Sequence, residues 1–172
     1  MTQRALNGGT RPLAVVPETG VFVGYASLFN RLDGAGDMVM PGAFAASLKA
    51  KGPQGIRMLF QHDPKEIIGS WIDIGEDARG LFVRGRMNMA VQRGRELAAL
   101  IEGRALDGLS IGFRTVFAQR DKATGARRLY RIDLWEVSLV AFPMLEGARV
   151  SGRKARANAL FNLPIQQIQQ GV

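Results

Sequence analysis

Two stretches constrain the fold of this chain more than any others. In "IIGSWIDIGEDARGLFVRGRMN" (residues 67–88), two runs rich in branched and aromatic residues flank "GEDARG". In "GLSIGFRTVFAQRD" and "RRLYRIDLWEVSLVAF", two longer runs are joined through "KATG". Strand-like runs around a Gly- and Asp-bearing turn read as β-hairpins. Two hairpins of this length leave most of the chain to an antiparallel sheet.

The rest fits around that sheet. "GVFVGYASLFN" (20–30) reads as a further strand, and "IRMLFQHDP" as one stopped by Pro64. "RLDGAGDMVMPG" is a loop dense in Gly and Asp. "PGAFAASLKAKG" reads as a short helix, with Pro41 suited to a first turn and Gly52 ending it. From Met89 to about Ala105 the period becomes helical, with Ala90, Leu97, Ile101 and Ala105 near one face. Many strands with two or three helices predict an α+β domain on an antiparallel sheet or barrel. The expected division is a flexible arm at 1–12, one domain at 13–148 and a basic, disordered tail at 149–172.

Composition removes several chemistries. A chain of 172 residues, 47% hydrophobic and 22% charged, suits one globular domain. With no cysteine there is no disulfide, no thiolate nucleophile and no thiolate metal site. One histidine with carboxylates is a poor zinc ligand set, and no cofactor is expected. The N-terminal "MTQRALNGGTRP" lacks the apolar run of a signal peptide. "LWEVSLVAFPML" is short and broken by Glu136 and Pro143, so no membrane span is expected. The net charge of +8 attracts phosphate, but the four basic residues after position 147, with no acidic ones, carry half of it. Elsewhere the charges are scattered, which argues against a nucleic-acid partner.

Chemistry must then centre on His62, the single histidine. Its ordinary pKa makes it a general base near neutrality, and without Cys its nucleophile is Ser or Thr. Ser110 is the leading choice over Ser27, Ser70, Ser138 and Ser151. In a strand, Ser110 and Gly112 project to one side, and Leu109, Ile111 and Phe113 to the other. The hydroxyl thus emerges on a face kept small, although a small residue under a packed helix would give the same pattern. Glu136 is the odd residue in an apolar strand, and alternation puts Leu134, Glu136, Ser138 and Val140 on one face. A carboxylate there needs a partner, which His62 could supply, unless it lies on an edge facing water. Asp63 is a weaker choice, since adjacent strand residues point to opposite faces.

The ordered set "GYASLFN…D…GDMVMPGAF", "LFQHDP…IIGSW", "GLFVRGRM", "GLSIGF" and "LWEVSLVAFP" resembles the prohead maturation proteases of tailed bacteriophages over about residues 20–148. These are serine peptidases that process HK97-like capsids. The resemblance implies Ser110 as nucleophile, His62 as base and Glu136 as third member. It implies a partly closed β-barrel with surrounding helices, related in fold to the herpesvirus assembly proteases. It also implies an endopeptidase acting inside the assembling procapsid, in the host cytoplasm. Its partners would be the major capsid protein precursor with its scaffolding segment, and the protease itself. Gly147–Arg149 could bend toward the nucleophile, but no residue match fixes an oxyanion hole. A catalytically silent assembly or scaffolding protein and a basic nucleic-acid-binding domain are the rival readings. Cleavage sequence and homo-oligomeric state stay open.

Overall fold

The computed structural model describes residues 15, 16 and 18–151, so the expected arm and the tail beyond Ser151 lie outside the described residues. Eight strands and two helices follow in the order β1 (Val15–Val16), β2 (Val21–Leu28), β3 (Asp37–Val39), α1 (Ala45–Lys51), β4 (Arg57–Phe60), β5 (Asp63–Glu76), β6 (Gly80–Met87), α2 (Gln92–Glu102), β7 (Gly108–Arg120) and β8 (Arg127–Val140). Both expected hairpins form, as β5–β6 and β7–β8. The strands make one sheet in the order β1-β2-β6-β5-β4-β8-β3, with β7 also paired to β8. Its neighbours are antiparallel except β3 and β4, which both run parallel to β8. The result is a mixed sheet curled into an open half-barrel with two helices, an α+β arrangement.

The core fills the inside of the curl. Phe22 meets Trp71 edge to face at 5.8 Å between ring centroids, and both are buried. Gly85 lies where Met58, Trp71 and Phe22 converge, so a Cβ there would sit 2.4 Å from the Met58 methyl. That Cβ would also lie within 3 Å of the Trp71 and Phe22 rings, so a larger residue would force the core to shift. Leu109, Leu129, Ile132, Leu134, Val137 and Leu139 contribute the β7–β8 share, each at most 1% exposed.

The helices are smaller than their sequence patterns. α1 begins at Ala45, four residues past Pro41, and ends at Gly52, whose φ of +61° with ψ of −178° is a backbone region open essentially to glycine alone. No side chain of the helix caps its start. The Glu76 carboxylate on β5 accepts the N–H groups of Gly42 and Phe44 at 3.1 and 2.8 Å. Those donors have no intrahelical partner, so the sheet itself anchors the helix. α2 buries Gly94, Leu97, Ala98 and Ile101. Gly94 is a contact position, since a Cβ there would meet the Asn88 carbonyl oxygen at 2.0 Å.

Two expectations about strands need correction. The segment "IRMLFQHDP" is not one strand ended by Pro64. β4 stops at Phe60, Gln61 and His62 turn the chain, and Pro64 lies inside β5. Phe60 pairs with Asp63, and Gln61 and His62 have φ values of +55° and +59°. That is the backbone of a two-residue type I′ hairpin, whose twist matches its strands, built without glycine. Leu134 and Glu136 also do not share a face. Phe113 pairs with Leu134 and the preceding Gly112 with Glu136, which leaves Trp135 as an extra residue. This bulge reverses the parity of β8, so Ile132 and Leu134 face the core before it, and Val137 and Leu139 after it.

After β8 the chain returns across the sheet. Leu109 and Val150 N–H groups donate to the carbonyls of Ala148 and Asp107, both at 2.8 Å. Tyr25 and Ser151 N–H groups donate to Arg149 and Val23, at 3.1 and 2.8 Å. Residues 148–151 thus bond to β7 on one side and β2 on the other.

Candidate active site

The bulge at Trp135 turns Glu136 and Ser138 away from the core and onto one row of the sheet. In that row Gly112 is opposite Glu136 and Ser110 is opposite Ser138. Paired residues of antiparallel strands share a face, so Ser110, Gly112, Glu136 and Ser138 project together. On the other edge of β8, Leu59 of β4 pairs with Ser138, and the turn after β4 carries His62 over the row.

His62 Nδ1 lies 2.6 Å from Glu136 Oε1. Ser138 Oγ donates to the other carboxylate oxygen, Oε2, also at 2.6 Å, and accepts the backbone N–H of His62 at 3.1 Å. Glu136 is 9% exposed and Ser138 fully buried. A carboxylate in such a place is costly unless hydrogen bonded, and here each oxygen has a partner. The His62 pKa is raised above its ordinary value, chiefly by its hydrogen bond to Glu136; burial opposes this, and the carboxylate's charge adds a smaller upward push. With Nδ1–H given to Glu136, the neutral ring has Nε2 as its acceptor. Neither Nε2 nor the Ser110 hydroxyl has a hydrogen-bond partner among the described residues.

Gly112 has a steric reason to be glycine. A Cβ there would lie 2.0 Å from Glu136 Oε1 and within 3 Å of its Cδ and Cγ. The glycine beside Ser110 therefore makes room for Glu136. The turn is equally specific. Gln61 N–H donates to the Leu139 carbonyl at 2.9 Å, and the Gln61 side-chain oxygen accepts from Ala141 N–H at 3.4 Å. These bonds to Leu139 and Ala141, with the Ser138 hydroxyl on the His62 N–H, hold two non-glycine residues at positive φ, a conformation that costs roughly 1–3 kcal/mol each.

The structure thus brings His62 and Glu136 into direct contact and sets Ser110 on the same row. Asp63 instead accepts the Lys65 N–H at 2.8 Å. Ser27 is buried on β2, Ser70 lies on β5, and Ser151 is bonded through its backbone to Val23. Ser138 belongs to the site; sequence reasoning put it on the face of Glu136 but gave it no role beyond that of a competing serine. Trp135 also went unrecognised, although the switch from even to odd core positions between Leu134 and Val137 signals a bulge. The loop Gly147–Arg149 does come beside β7, where Ala148 accepts from Leu109, the neighbour of Ser110. Among the described residues no group of three His, Asp or Glu side chains could hold a metal ion, and no helix is long and apolar enough to cross a membrane.

The chain resembles known proteins in sequence and in fold. The chain is 33% identical over 138 residues to the prohead protease of Enterobacteria phage HK97, covering 79% of this chain and 61% of that one. It is 32% identical over 124 residues to the prohead protease of Escherichia phage T5, covering 70% and 56%. The chain therefore spans about three fifths of the length of these relatives. The structure of the bacteriophage T4 capsid assembly protease shares the fold, with a TM-score of 0.56 at 16% identity over 70% of this chain and 80% of that one. The sequence profile of the caudovirus prohead serine proteases matches residues 14–161, and the chain belongs to that family.

Proposed function

We propose that the chain is a serine endopeptidase that cleaves capsid and scaffold polypeptides during prohead maturation, with Ser110 as nucleophile, His62 as general base and Glu136 as its orienting carboxylate. The observation that carries this reading is the 2.6 Å contact between His62 Nδ1 and Glu136, on a row shared with Ser110. Family membership supports the choice of substrate.

In this mechanism Ser110 Oγ attacks the scissile carbonyl carbon while its proton passes to His62 Nε2. Glu136 stabilises the imidazolium that forms. Collapse breaks the C–N bond, and His62 hands the proton to the leaving amine. Water, deprotonated by His62, then attacks the acyl-enzyme and releases Ser110 with its proton restored. The protein acts within the assembling procapsid, and its own chain is a further substrate. Closure of the half-barrel belongs to the same proposal, supported by the bonds of residues 148–151 to both β2 and β7. So does the division into an arm, a protease domain and a basic tail.

A fluorophosphonate tests the site without knowledge of the cleavage sequence. Diisopropyl fluorophosphate should add one phosphoryl group to Ser110 of the wild type and none to Ser110→Ala or His62→Ala. Labelling elsewhere, or equal labelling in His62→Ala, would remove the assignment.

A further inference from the structure

We infer that Ser138 is a positioning residue of the active site, whose hydroxyl locks the Glu136 carboxylate and the His62 backbone into one arrangement. The inference deepens the protease reading and rests on its assignment of His62 and Glu136.

A serine hydroxyl has one hydrogen to give and lone pairs to receive. Ser138 uses both functions on the two residues whose relation matters. Its proton goes to Glu136 Oε2, and its oxygen takes the His62 N–H. The first bond fixes rotation of the carboxylate, so that Oε1 is the oxygen facing His62 Nδ1. The second fixes the residue that carries the imidazole, at a φ of +59° where a histidine has no intrinsic reason to stay. A single atom thereby couples the carboxylate on β8 to the base on the β4–β5 turn. Ser138 is fully buried, so water does not compete for either bond. Its position depends on the Trp135 bulge, which puts residues 136 and 138 on the row of Ser110.

A serine that only filled space would leave the properties of His62 unchanged when trimmed to alanine. Two readouts separate the roles. His62 is the single histidine, so its ring resonances titrate in the full chain without assignment. Reaction of Ser110 with diisopropyl fluorophosphate forms the O–P bond, expels fluoride and sends the hydroxyl proton to His62, and it reports the base directly. In Ser138→Ala the midpoint of His62 should fall from its raised value toward the ordinary 6.5. The limiting labelling rate should drop by about a hundredfold, the scale set by displacing a catalytic group about 1 Å, with little change in the half-saturating reagent concentration. Ser138→Thr, which keeps the hydroxyl, should restore both.

A folded Ser138→Ala protein with wild-type titration and labelling rate would overturn the inference. If that variant does not fold, Ser138→Cys, similar in size and a weak donor, should give intermediate values, and wild-type values there would overturn it equally. A wild type that takes up no reagent would sink the hydrolase reading, while the titrations would still decide whether Ser138 positions the pair.

Discussion

Glu136 and His62 set the pH behaviour of the site. Because the carboxylate raises the His62 pKa, the neutral base appears only as pH climbs past that raised value. The acid limb of the rate profile should therefore lie above 6.5 and move down in Glu136→Gln, where the charge is gone and the maximal rate falls. The sign for stability is the reverse. A group whose folded pKa is raised stabilises fully below its unfolded value and loses that contribution as pH rises through the folded one. Denaturant midpoints of wild type minus Glu136→Gln should shrink from mildly acid to alkaline pH, and a gap that widens would contradict the pairing. Gly112 makes a second residue-scale prediction. In Gly112→Ala the new methyl overlaps Glu136 Oε1, so the carboxylate must leave His62. Overpacking of this kind costs about 1–3 kcal/mol, and the His62 titration should drop along with activity. Unchanged titration in that variant would mean the carboxylate has room that the structure does not give it.

At the scale of elements, the turn Gln61–His62 holds strain where it serves the site. Gln61→Asn, a residue more at ease with positive φ, should raise stability by about 1 kcal/mol in denaturant melts while leaving the labelling rate of Ser110 intact. A destabilised variant would show that the Gln61 contact to Ala141 outweighs the strain. This turn also marks where sequence reasoning ended. Both long hairpins were legible because their turns carry glycine and their strands alternate. The β4–β5 turn has neither glycine nor asparagine, so "LFQHDP" read as continuous strand up to Pro64. The parallel pairing of β4 with β8 was invisible for another reason, since it joins residues 79 positions apart with no local signal. Ser110, His62 and Glu136 stood out by residue type and by resemblance. Ser138 did not, because its role depends on the bulge at Trp135 and on a turn residue arriving from another strand.

For the molecule as a whole, the site lies beside the segment that returns across the sheet after β8. Ser110 sits near the start of β7, where residues 148–151 bond to β7 and β2 together. Ala148 and Val150 are buried there, at 0% and 7% exposed. A chain ending at residue 151 should fold and label as the wild type does. One ending at residue 147 loses the burial of Val150, about 1.5–3 kcal/mol, and five backbone bonds worth about 1 kcal/mol each. It should unfold at much lower denaturant, and equal stability of the two chains would contradict a closing role for this segment.

If the proposed function holds, the row of Ser110, His62 and Glu136 cuts capsid polypeptides. The most direct measurement is intact mass of the capsid protein precursor of the same virus, co-expressed with wild type, Ser110→Ala or His62→Ala. The wild type should yield a discrete shorter capsid protein, and both folded variants should leave the full precursor. Identical processing in all three would contradict that function, and an uncut precursor beside a folded wild type would favour a silent assembly protein.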